Sequence, residues 1–455
     1  RLERDLTGLI LQIVPTISDL SFGVGGGYVG AGMSLIGSGM VEGQTTLLVG
    51  AQQVSDPARY YGQDVVGANT QINLGVADGM PTGPFRVRTL GGTSEAYVIG
   101  LASITATAAQ GTALNTAQAS ANPGQLITLN GTALDLNTEV VFQMINEAGT
   151  RFDYTVRPSF LHTDGSVGVY VPTTAVTGVV RVVGSAVSVP LQIVPVVRDV
   201  QVESVAGDGS FAVVLVYGQG FTEGDAEYRF GNAVVRDETV QSGPDEFSNG
   251  TVVRLTLPLS GGAFGGVSVK TAGGVSGVYT VSLAGVQAVA LSGTPADAGV
   301  ASANAGQTVK LLGTGLTLGT DVLLKWVNHV GGVEMLRLNP TQVSADGTSA
   351  QLDLPAYVNG VLQLQVLGSA SQPLLQIVPT VQRVDIQDRI VLFGSGYIEG
   401  ASTYTFAGNS HSDALIDAQD AVGAVNVWYD GAQNNSVYIQ RAAIGQHGLG
   451  TVTVS

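Results

Sequence analysis

The chain has 455 residues, of which 44% are hydrophobic and 12% are charged, and this balance excludes an intrinsically disordered chain. Asp and Glu (35) outnumber Lys and Arg (19), so the formal net charge is −16 and the surface would repel nucleic acid and attract cations. Cysteine is absent, which excludes disulfides, thiol nucleophiles and thiolate metal sites.

Neither a membrane span nor a signal peptide is visible in the sequence. Gly, Ser, Thr or a charged residue interrupts every apolar run before the roughly 18 to 20 residues that a membrane helix needs. Because the chain opens with Arg1 and not with Met, we expect it to be part of a longer protein. We interpret residues 1–14 as the end of a preceding domain.

One domain type, called A below, is repeated three times. The string Leu-Gln-Ile-Val-Pro occurs at residues 11–15, 191–195 and 375–379. After each copy comes a Gly-x-Gly sequence followed by an apolar residue and Glu-Gly. A repeated string at long, nearly equal spacing indicates repeated structural units. The A units are predicted at residues 15–100 (A1), 195–285 (A2) and 379–455 (A3), and we expect A3 to be incomplete because it lacks a closing proline.

A second domain type, called B below, lies between the A units. It is marked by Ala-Asn-Pro-Gly-Gln at residues 121–125 and by Ala-Asn-Ala-Gly-Gln at residues 303–307. Each copy later contains an Asp-Gly pair, at residues 164–165 and 346–347, which is typical of a β-hairpin turn. The B units are predicted at residues 101–194 (B1) and 286–378 (B2), and the order is A-B-A-B-A.

The predicted fold class is all-β. Apolar-rich runs of four to eight residues, such as 211–217, 252–257, 267–270 and 278–283, are separated by Gly-containing turns. Short strands at regular spacing favour a β-sandwich, and no stretch sustains a helical period. Because no Gly/Ser-rich tract separates the units, we expect a tandem array that forms an elongated, stiff rod.

These motifs resemble the IPT/TIG family of immunoglobulin-like domains. The likeness rests on the opening proline, the Gly-x-Gly sequence and a strand that ends in Phe230-Gly231, and in the B units on Gly124-Gln125 followed by an apolar strand. It covers nearly the whole chain. The resemblance implies an immunoglobulin-like fold in tandem, and its members serve in receptors, transcription factors, carbohydrate-active enzymes and bacterial surface proteins, so it does not fix a function.

A pair of acidic residues recurs in the A units with a constant separation. The pairs are Glu42 and Asp56, Glu223 and Asp237, and Glu399 and Asp413. Under the structural interpretation, which we favour, the glutamate accepts backbone N–H bonds in the Gly-x-Gly turn and the aspartate accepts them at a strand end. Under the functional one they hold Ca²⁺ at a domain joint, although two carboxylates are few for an ion that usually takes six to eight oxygens. Asp225 and Glu227 would add ligands in A2 alone.

No catalytic site is predicted, and we expect no enzyme activity and no cofactor other than this Ca²⁺. None of the four histidines recurs at an equivalent position, and no Ser/His/Asp set falls within one unit. Trp326 and Trp428 belong to a residue type that stacks on sugars, but Trp326 falls within an apolar run, where packing is the simpler role.

The predicted function is that of a stalk, sheath or filament segment in a large secreted or cell-surface bacterial protein. Its partners would be neighbouring repeats, with lateral or end-to-end self-association. Two alternatives remain open at this level. The units would bind a polysaccharide or a host surface protein, or they would be accessory domains of an enzyme whose catalytic part lies outside this chain.

Overall fold

The computed structural model describes residues 11–22, 32–56, 64–75, 84–240, 243–248, 250–386, 389–406, 408–413, 425–428, 436–440 and 451–455. Within these ranges it contains 43 strands and no α-helix, so the predicted all-β class is confirmed. None of the described residues forms a helix of the length and apolarity that crossing a membrane requires. The strands group into a tandem array of two-layered, immunoglobulin-like units.

A1 is a sandwich of two four-stranded sheets. Its strands are β1 Thr16–Phe22, β2 Gly32–Ser38, β3 Thr46–Val49, β4 Gln52–Ser55, β5 Asp64–Val66, β6 Gln71–Gly75, β7 Phe85–Thr89 and β8 Gly92–Thr93. The sheet orders are β1-β2-β6-β5 and β4-β3-β7-β8. Buried Leu47 and Val49 alternate with less buried neighbours along β3, as expected for a sheet with one face in the core. Residues 1–10, most of the predicted preceding domain end, lie outside the described residues.

B1 combines a four-stranded and a five-stranded sheet. The strands of this stretch are β9 Gly100–Thr105, β10 Thr112–Ala113, β11 Ser120–Ala121, β12 Leu126–Thr132, β13 Val140–Ile145, β14 Arg151–Val156, β15 Phe160–Leu161, β16 Val167–Tyr170, β17 Gly178–Val182 and β18 Ser188–Ile193. The orders are β15-β16-β12-β9 and β11-β18-β17-β13-β14. The pair β11 and β18 is parallel.

A2 has the longest strands of the three A units. They are β19 Val196–Val205, β20 Phe211–Gln219, β21 Ala226–Phe230, β22 Ala233–Asp237, β23 Asp245–Phe247, β24 Val252–Pro258, β25 Val267–Thr271 and β26 Gly274–Val275. One sheet has the order β19-β20-β24-β23. The other has the order β10-β26-β25-β21-β22, so its first strand comes from the B1 stretch.

B2 repeats the B1 plan with one sheet split in two. Its strands are β27 Ser282–Gln287, β28 Ala301–Ala303, β29 Thr308–Thr314, β30 Val322–Val327, β31 Val333–Leu338, β32 Gln342–Val343, β33 Ser349–Asp353, β34 Val361–Gln363, β35 Gln365–Val366 and β36 Leu374–Ile377. The orders are β27-β29-β33-β32, β28-β36-β34 and β31-β30-β35.

A3 again has two sheets. Its described strands are β37 Thr380–Ile386, β38 Arg389–Ser395, β39 Thr403–Phe406, β40 Asn409–Ser412, β41 Val425–Trp428, β42 Ser436–Gln440 and β43 Val452–Val454. They are ordered β37-β38-β42-β41 and β40-β39-β43. The core of this unit includes the fully buried Tyr397 and Tyr404.

Strands β9, β10 and β27 depart from the predicted bounds of the units. Strand β9 begins at Gly100, the last residue predicted for A1, and pairs with β12 of B1. Strand β10 lies inside the predicted B1 range but pairs with β26 of A2, and a two-residue Thr-Ala strand has no apolar alternation from which it could be predicted. Strand β27 begins at Ser282, ahead of the predicted boundary at 285, and pairs with β29 of B2. The apolar run at 278–283 therefore crosses the joint and is not a strand of A2 alone.

Buried side chains touch across the A-to-B joints. The core residues of A1 and B1 form one connected cluster, in which Phe85 and Ile99 lie at the joint. The A2 cluster likewise includes three side chains of B2, Leu323, Met335 and Leu367. The sheets are largely separate from unit to unit, but the apolar core continues from A1 into B1 and from A2 into B2.

Candidate functional site: domain joints and a buried carboxylate cluster

The aspartate of each recurrent acidic pair is buried and binds the turn that carries the glutamate. In all three A units its Oδ2 accepts the backbone N–H of the glycine that follows the glutamate. The bonds are Gly43 to Asp56 at 2.6 Å, Gly224 to Asp237, and Gly400 to Asp413 at 2.9 Å. The constant spacing in sequence thus corresponds to a constant hydrogen bond in space.

The glutamates of A1 and A2 accept hydrogen bonds from a strand of the other sheet. Glu42 Oε2 accepts the N–H of Val65 in β5 at 2.9 Å, and Glu223 Oε2 accepts the N–H of Glu246 in β23 at 3.0 Å. Glu399 is buried at the corresponding place in A3. Together the two acids tie one turn to strands of both sheets, and the donors are exchanged relative to the structural interpretation, because the aspartate accepts from the turn and the glutamate from a strand.

A2 adds a third buried acid, Glu246. One carboxylate oxygen each of Glu223, Asp237 and Glu246 lies within 4.8 Å of the others. The register places Val65 of A1 and Val427 of A3 where A2 has Glu246, since all three pair with the corresponding residue of the neighbouring strand. Glu246 was not predicted from the sequence, because this acid does not recur in A1 or A3.

The two acids proposed from the sequence to extend the A2 site lie elsewhere. Glu227 forms ion pairs with Arg229 at 3.0 Å and Arg236 at 3.3 Å on the surface of its sheet. Asp225 takes part in the turn through its N–H, which donates to the carbonyl of Thr222. Neither is among the three carboxylates that lie within 4.8 Å of one another.

The cluster is short of counter-charge. Within the described part of the chain, no lysine or arginine forms an ion pair with Glu223, Asp237 or Glu246. Tyr228 donates its hydroxyl proton to Glu246 Oε1, while Asp237 Oδ1 and Glu246 Oε2 are buried with no hydrogen-bond partner. Two ionised carboxylates at such separations repel by roughly 3.5 kcal/mol at an effective dielectric constant of about 20.

The pKa values of Glu246, Asp237 and Tyr228 are all raised in this cluster. Burial, reinforced by the hydrogen bond with Glu223, raises the pKa of Glu246 to about 10. Burial also raises the pKa of Asp237, and the Glu223 charge acts in the same direction. Burial and the Glu246 charge raise the pKa of Tyr228 well above its ordinary value. The three carboxyl groups of Glu223, Asp237 and Glu246 therefore need bound protons or a cation to be stable in the folded unit.

The B-to-A joints are built from the asparagine that marks each B unit. Asn122 Nδ2 donates to the carbonyl of Val194 at 3.0 Å, directly before the proline that opens A2. Asn304 Nδ2 makes the same bond to the carbonyl of Val378 at 2.9 Å, directly before A3. The Ala-Asn-x-Gly-Gln motif thus forms a turn and also fixes the last residue of its own B unit, from which the chain enters the next A unit.

The repeated Leu-Gln-Ile-Val-Pro string forms the other half of this joint. Its glutamine makes two hydrogen bonds to one loop residue of the same B unit: Gln192 with Asn115, and Gln376 with Asp297. Its Ile193 and Val194 are buried, whereas Ile13, in the first copy, is exposed. The string is therefore the final strand of a B unit running directly into an A unit.

B1 also donates a strand to A2. Thr112 and Ala113 of β10 pair antiparallel with Val275 and Gly274 of β26. Gly274 has φ +149° and leaves room for the strand, because a Cβ there would lie 2.3 Å from the Thr112 carbonyl oxygen. Main-chain pairing across a joint resists bending in a way that a linker cannot.

The A-to-B joints use a tyrosine and a serine. The Tyr279 hydroxyl donates to Asp199 Oδ1 at 3.2 Å. At the first joint, burial and the charge of Asp19 raise the pKa of Tyr97, and a hydrogen bond with Asp19 acts in the same direction. Ser185 Oγ accepts the N–H of Leu101 at 3.1 Å, and Ser369 Oγ accepts that of Leu283 at 3.0 Å. Equivalent bonds at both joints give the two A-B pairs similar geometry.

B1 exposes aromatic side chains on one sheet. Phe160 and Tyr170 are 45% and 49% exposed, their ring centroids are 6.3 Å apart, and Leu126 lies beside them. Gly168 beneath them leaves space, since a Cβ there would come 3.3 Å from the Phe160 ring. The register of B2 places polar residues at the four matching positions: Thr308, Gln342, Gln351 and Asp353.

The Trp326 side chain is buried, so its ring cannot stack on a sugar. Its side chain is buried in the B2 core and its ring centroid lies 4.8 Å from that of Tyr357. The packing role preferred from the sequence agrees with this position. Trp428 lies in β41, where the backbone alone is described.

Comparisons with known proteins return structural neighbours only. No protein-family model and no curated protein matches the chain. A tetra-tandem repeat in the extending region of a large adhesion protein is 19% identical over 80% of this chain and 97% of that chain, with a TM-score of 0.15. SGBP-B from a complex xyloglucan utilization locus in Bacteroides uniformis is 11% identical over 80% and 99%, with a TM-score of 0.18.

A tandem of titin domains is 6% identical and covers 54% of this chain and 90% of that chain, with a TM-score of 0.13. These neighbours are tandem-repeat proteins. At such TM-scores they carry no argument about function, and the proposals below rest on the geometry of this chain.

Proposed function

We propose that this chain is a non-enzymatic stretch of a stiff extracellular stalk or filament in a large bacterial surface protein. The observation that carries the proposal is the construction of the joints. Asn122 and Asn304 hold the last residue of each B unit directly before the proline that opens the next A unit, and β10 of B1 extends a sheet of A2. Joints of this kind hold neighbouring units at a fixed angle, as a load-bearing or spacing element requires.

The surface composition supports an extracellular setting. The net charge of −16 keeps parallel rods apart unless cations bridge them, which suits a protein that projects into a salt-containing medium. The bacterial and IPT/TIG assignments rest on the sequence resemblance described above. Lateral or end-to-end association with further copies is part of the same proposal.

Small-angle X-ray scattering of the full chain tests the stalk. Five units of roughly 30 to 40 Å each predict a maximum dimension of about 150 to 200 Å. The double variant Asn122→Ala and Asn304→Ala removes the bonds that hold the last residue of each B unit at the joint, and it is expected to broaden the distance distribution. Asn137→Ala, an exposed asparagine in a B1 turn, is the matched control. A compact particle, or equal flexibility in all three proteins, would overturn the proposal.

A second candidate function is glycan binding by B1. The exposed Phe160 and Tyr170 rings favour it, because aromatic faces stack on the C–H groups of sugar rings and B2 does without them. Binding of neutral polysaccharides by the full chain, measured by calorimetry, would be lost in Phe160→Gln, which introduces the B2 residue. The same affinity in that variant, or no binding at all, would exclude this face as the sugar site.

A further inference from the structure

We propose that Glu223, Asp237 and Glu246 bind one hard divalent cation of the Ca²⁺ class in A2. The inference is independent of the stalk, because an ion would bind here whatever larger protein the chain belongs to. It goes beyond the recurrent pair, since the third carboxylate is found in A2 and not at the matching register positions of A1 and A3.

The ligand atoms converge from three separate elements. Glu223 lies in the turn before β21, Asp237 ends β22, and Glu246 lies in β23 of the opposite sheet. Each carboxylate has one oxygen held by a donor: the N–H of Glu246, the N–H of Gly224 and the hydroxyl of Tyr228, respectively. Fixing one oxygen of each group orients the other, which is how supporting hydrogen bonds prepare a metal ligand.

Two carboxylate oxygens of the cluster have no hydrogen-bond partner. Asp237 Oδ1 and Glu246 Oε2 are buried without a hydrogen-bond partner, and these residues are 1% and 2% exposed. Buried polar atoms without partners are rare in folded proteins and call for a specific explanation. A cation bound between the carboxylates satisfies both atoms and neutralises most of the charge.

Glu246 is not needed to fold an A unit. A1 and A3 have valine at this register position, so an apolar side chain is compatible with the sandwich. Tyr228 binds this glutamate, and A3 has a tyrosine at the matching position, Tyr404, without the acid. A2 therefore carries a buried acid where an apolar side chain suffices in the sister units.

The donor set and size select the ion. Carboxylate oxygens are hard ligands, and three of them within 4.8 Å of one another are close enough to bind one ion at Ca–O distances of about 2.3 to 2.6 Å. A groove of about 350 Å³ is lined by Asp237, Asp225 and Thr271 together with Leu114 of B1. Asp237 is thus the member of the cluster that lines a groove next to the B1–A2 joint.

Calorimetric titration of the metal-stripped full chain with Ca²⁺ tests the site. We expect one ion per chain, and binding at least about tenfold weaker in Glu246→Val and Glu246→Gln. Glu246→Val introduces the residue of the sister units and is expected to fold. Glu227→Gln, an acid of the same unit outside the cluster, is the control and should bind Ca²⁺ as the wild type does.

Terbium provides a second readout that does not depend on those variants. Tb³⁺ replaces Ca²⁺ at oxygen sites and luminesces when a nearby tyrosine is excited. The wild type should give a signal that Ca²⁺ competes away, and Tyr228→Phe should reduce it. No binding of Ca²⁺, Mg²⁺ or Mn²⁺ by the wild type, or unchanged affinity in both Glu246 variants, would overturn the site and leave protons as the neutralising species.

Discussion

Asp56, Asp237 and Asp413 keep the same position in three copies because each accepts a backbone N–H that the turn would otherwise bury without a partner. Leaving a buried donor unsatisfied costs about 1 to 3 kcal/mol, which is a large share of the stability of one unit. The same reasoning explains Asn122 and Asn304, whose amides satisfy the carbonyls that lead out of each B unit.

Replacing the A1 aspartate tests this account of the pair. Asp56→Ala should destabilise A1 by about 1 to 3 kcal/mol, because the Gly43 N–H loses its acceptor. Hydrogen exchange at Gly43, measured by NMR, reports the loss. Asp56→Asn retains an acceptor oxygen and should lose less. Equal losses in the two variants would mean that the charge, and not the acceptor, matters.

Asp346 gives a pH-dependent prediction in the B2 hairpin. Hydrogen bonds from Thr348 and Ser344 lower its pKa to about 2 from 3.8. A carboxylate with a lowered pKa stabilises the fold above its unfolded pKa and loses that contribution as pH falls through the folded value. The difference in unfolding midpoint between wild type and Asp346→Ala should therefore shrink between about pH 4 and pH 2. A difference that is constant over this range would contradict it.

At the scale of elements, the sequence predicted most strands and few of the connections between units. Alternation and Asp-Gly turns located β20, β24, β25 and the two B-unit hairpins, because these depend on local chemistry. Strand β10 has only two residues, and its partner lies more than a hundred residues away. Glu246 was missed because it does not recur, and the partner of Asn122 was missed because a motif shows a side chain and not what it binds.

The donated strand makes a prediction with an internal control. Gly274→Ala places a Cβ 2.3 Å from the Thr112 carbonyl oxygen and should release β10. Gly92→Ala is the matched change in A1, where φ is also positive (+132°) but the nearest atom belongs to the Val14 side chain at 3.3 Å. Both substitutions strain the backbone. Any additional loss of unfolding free energy in Gly274→Ala, about 1 to 3 kcal/mol, therefore measures what the pairing of β10 contributes.

Hydrogen exchange by mass spectrometry separates these outcomes. Peptides that contain residues 112–114 should exchange faster in Gly274→Ala and unchanged in Gly92→Ala. Protection at these residues in both variants would show that β10 is held by something other than pairing with β26.

For the whole molecule, the shared cores determine how unfolding is coupled. Met335 belongs to B2 by sequence, but its side chain packs in the A2 cluster. Met335→Ala should destabilise both units, by about 2 to 5 kcal/mol in total. Leu316→Ala is the control, because Leu316 is buried within the B2 cluster alone.

Pulse-labelling hydrogen exchange measures the two units separately. A2 peptides should lose protection in Met335→Ala and keep it in Leu316→Ala. Loss of A2 protection in both variants would mean that A2 and B2 unfold as one unit whichever contact is removed.

The strand that crosses from B1 to A2 also constrains how the chain can be divided for experiments. A fragment cut at the predicted boundary between these units would leave β26 of A2 as an open sheet edge, which is a ready template for pairing with another molecule. A recombinant A2 prepared alone would then be prone to dimerise or aggregate for reasons unrelated to its own sequence. The smallest fragment that keeps this A2 sheet complete is therefore B1 together with A2.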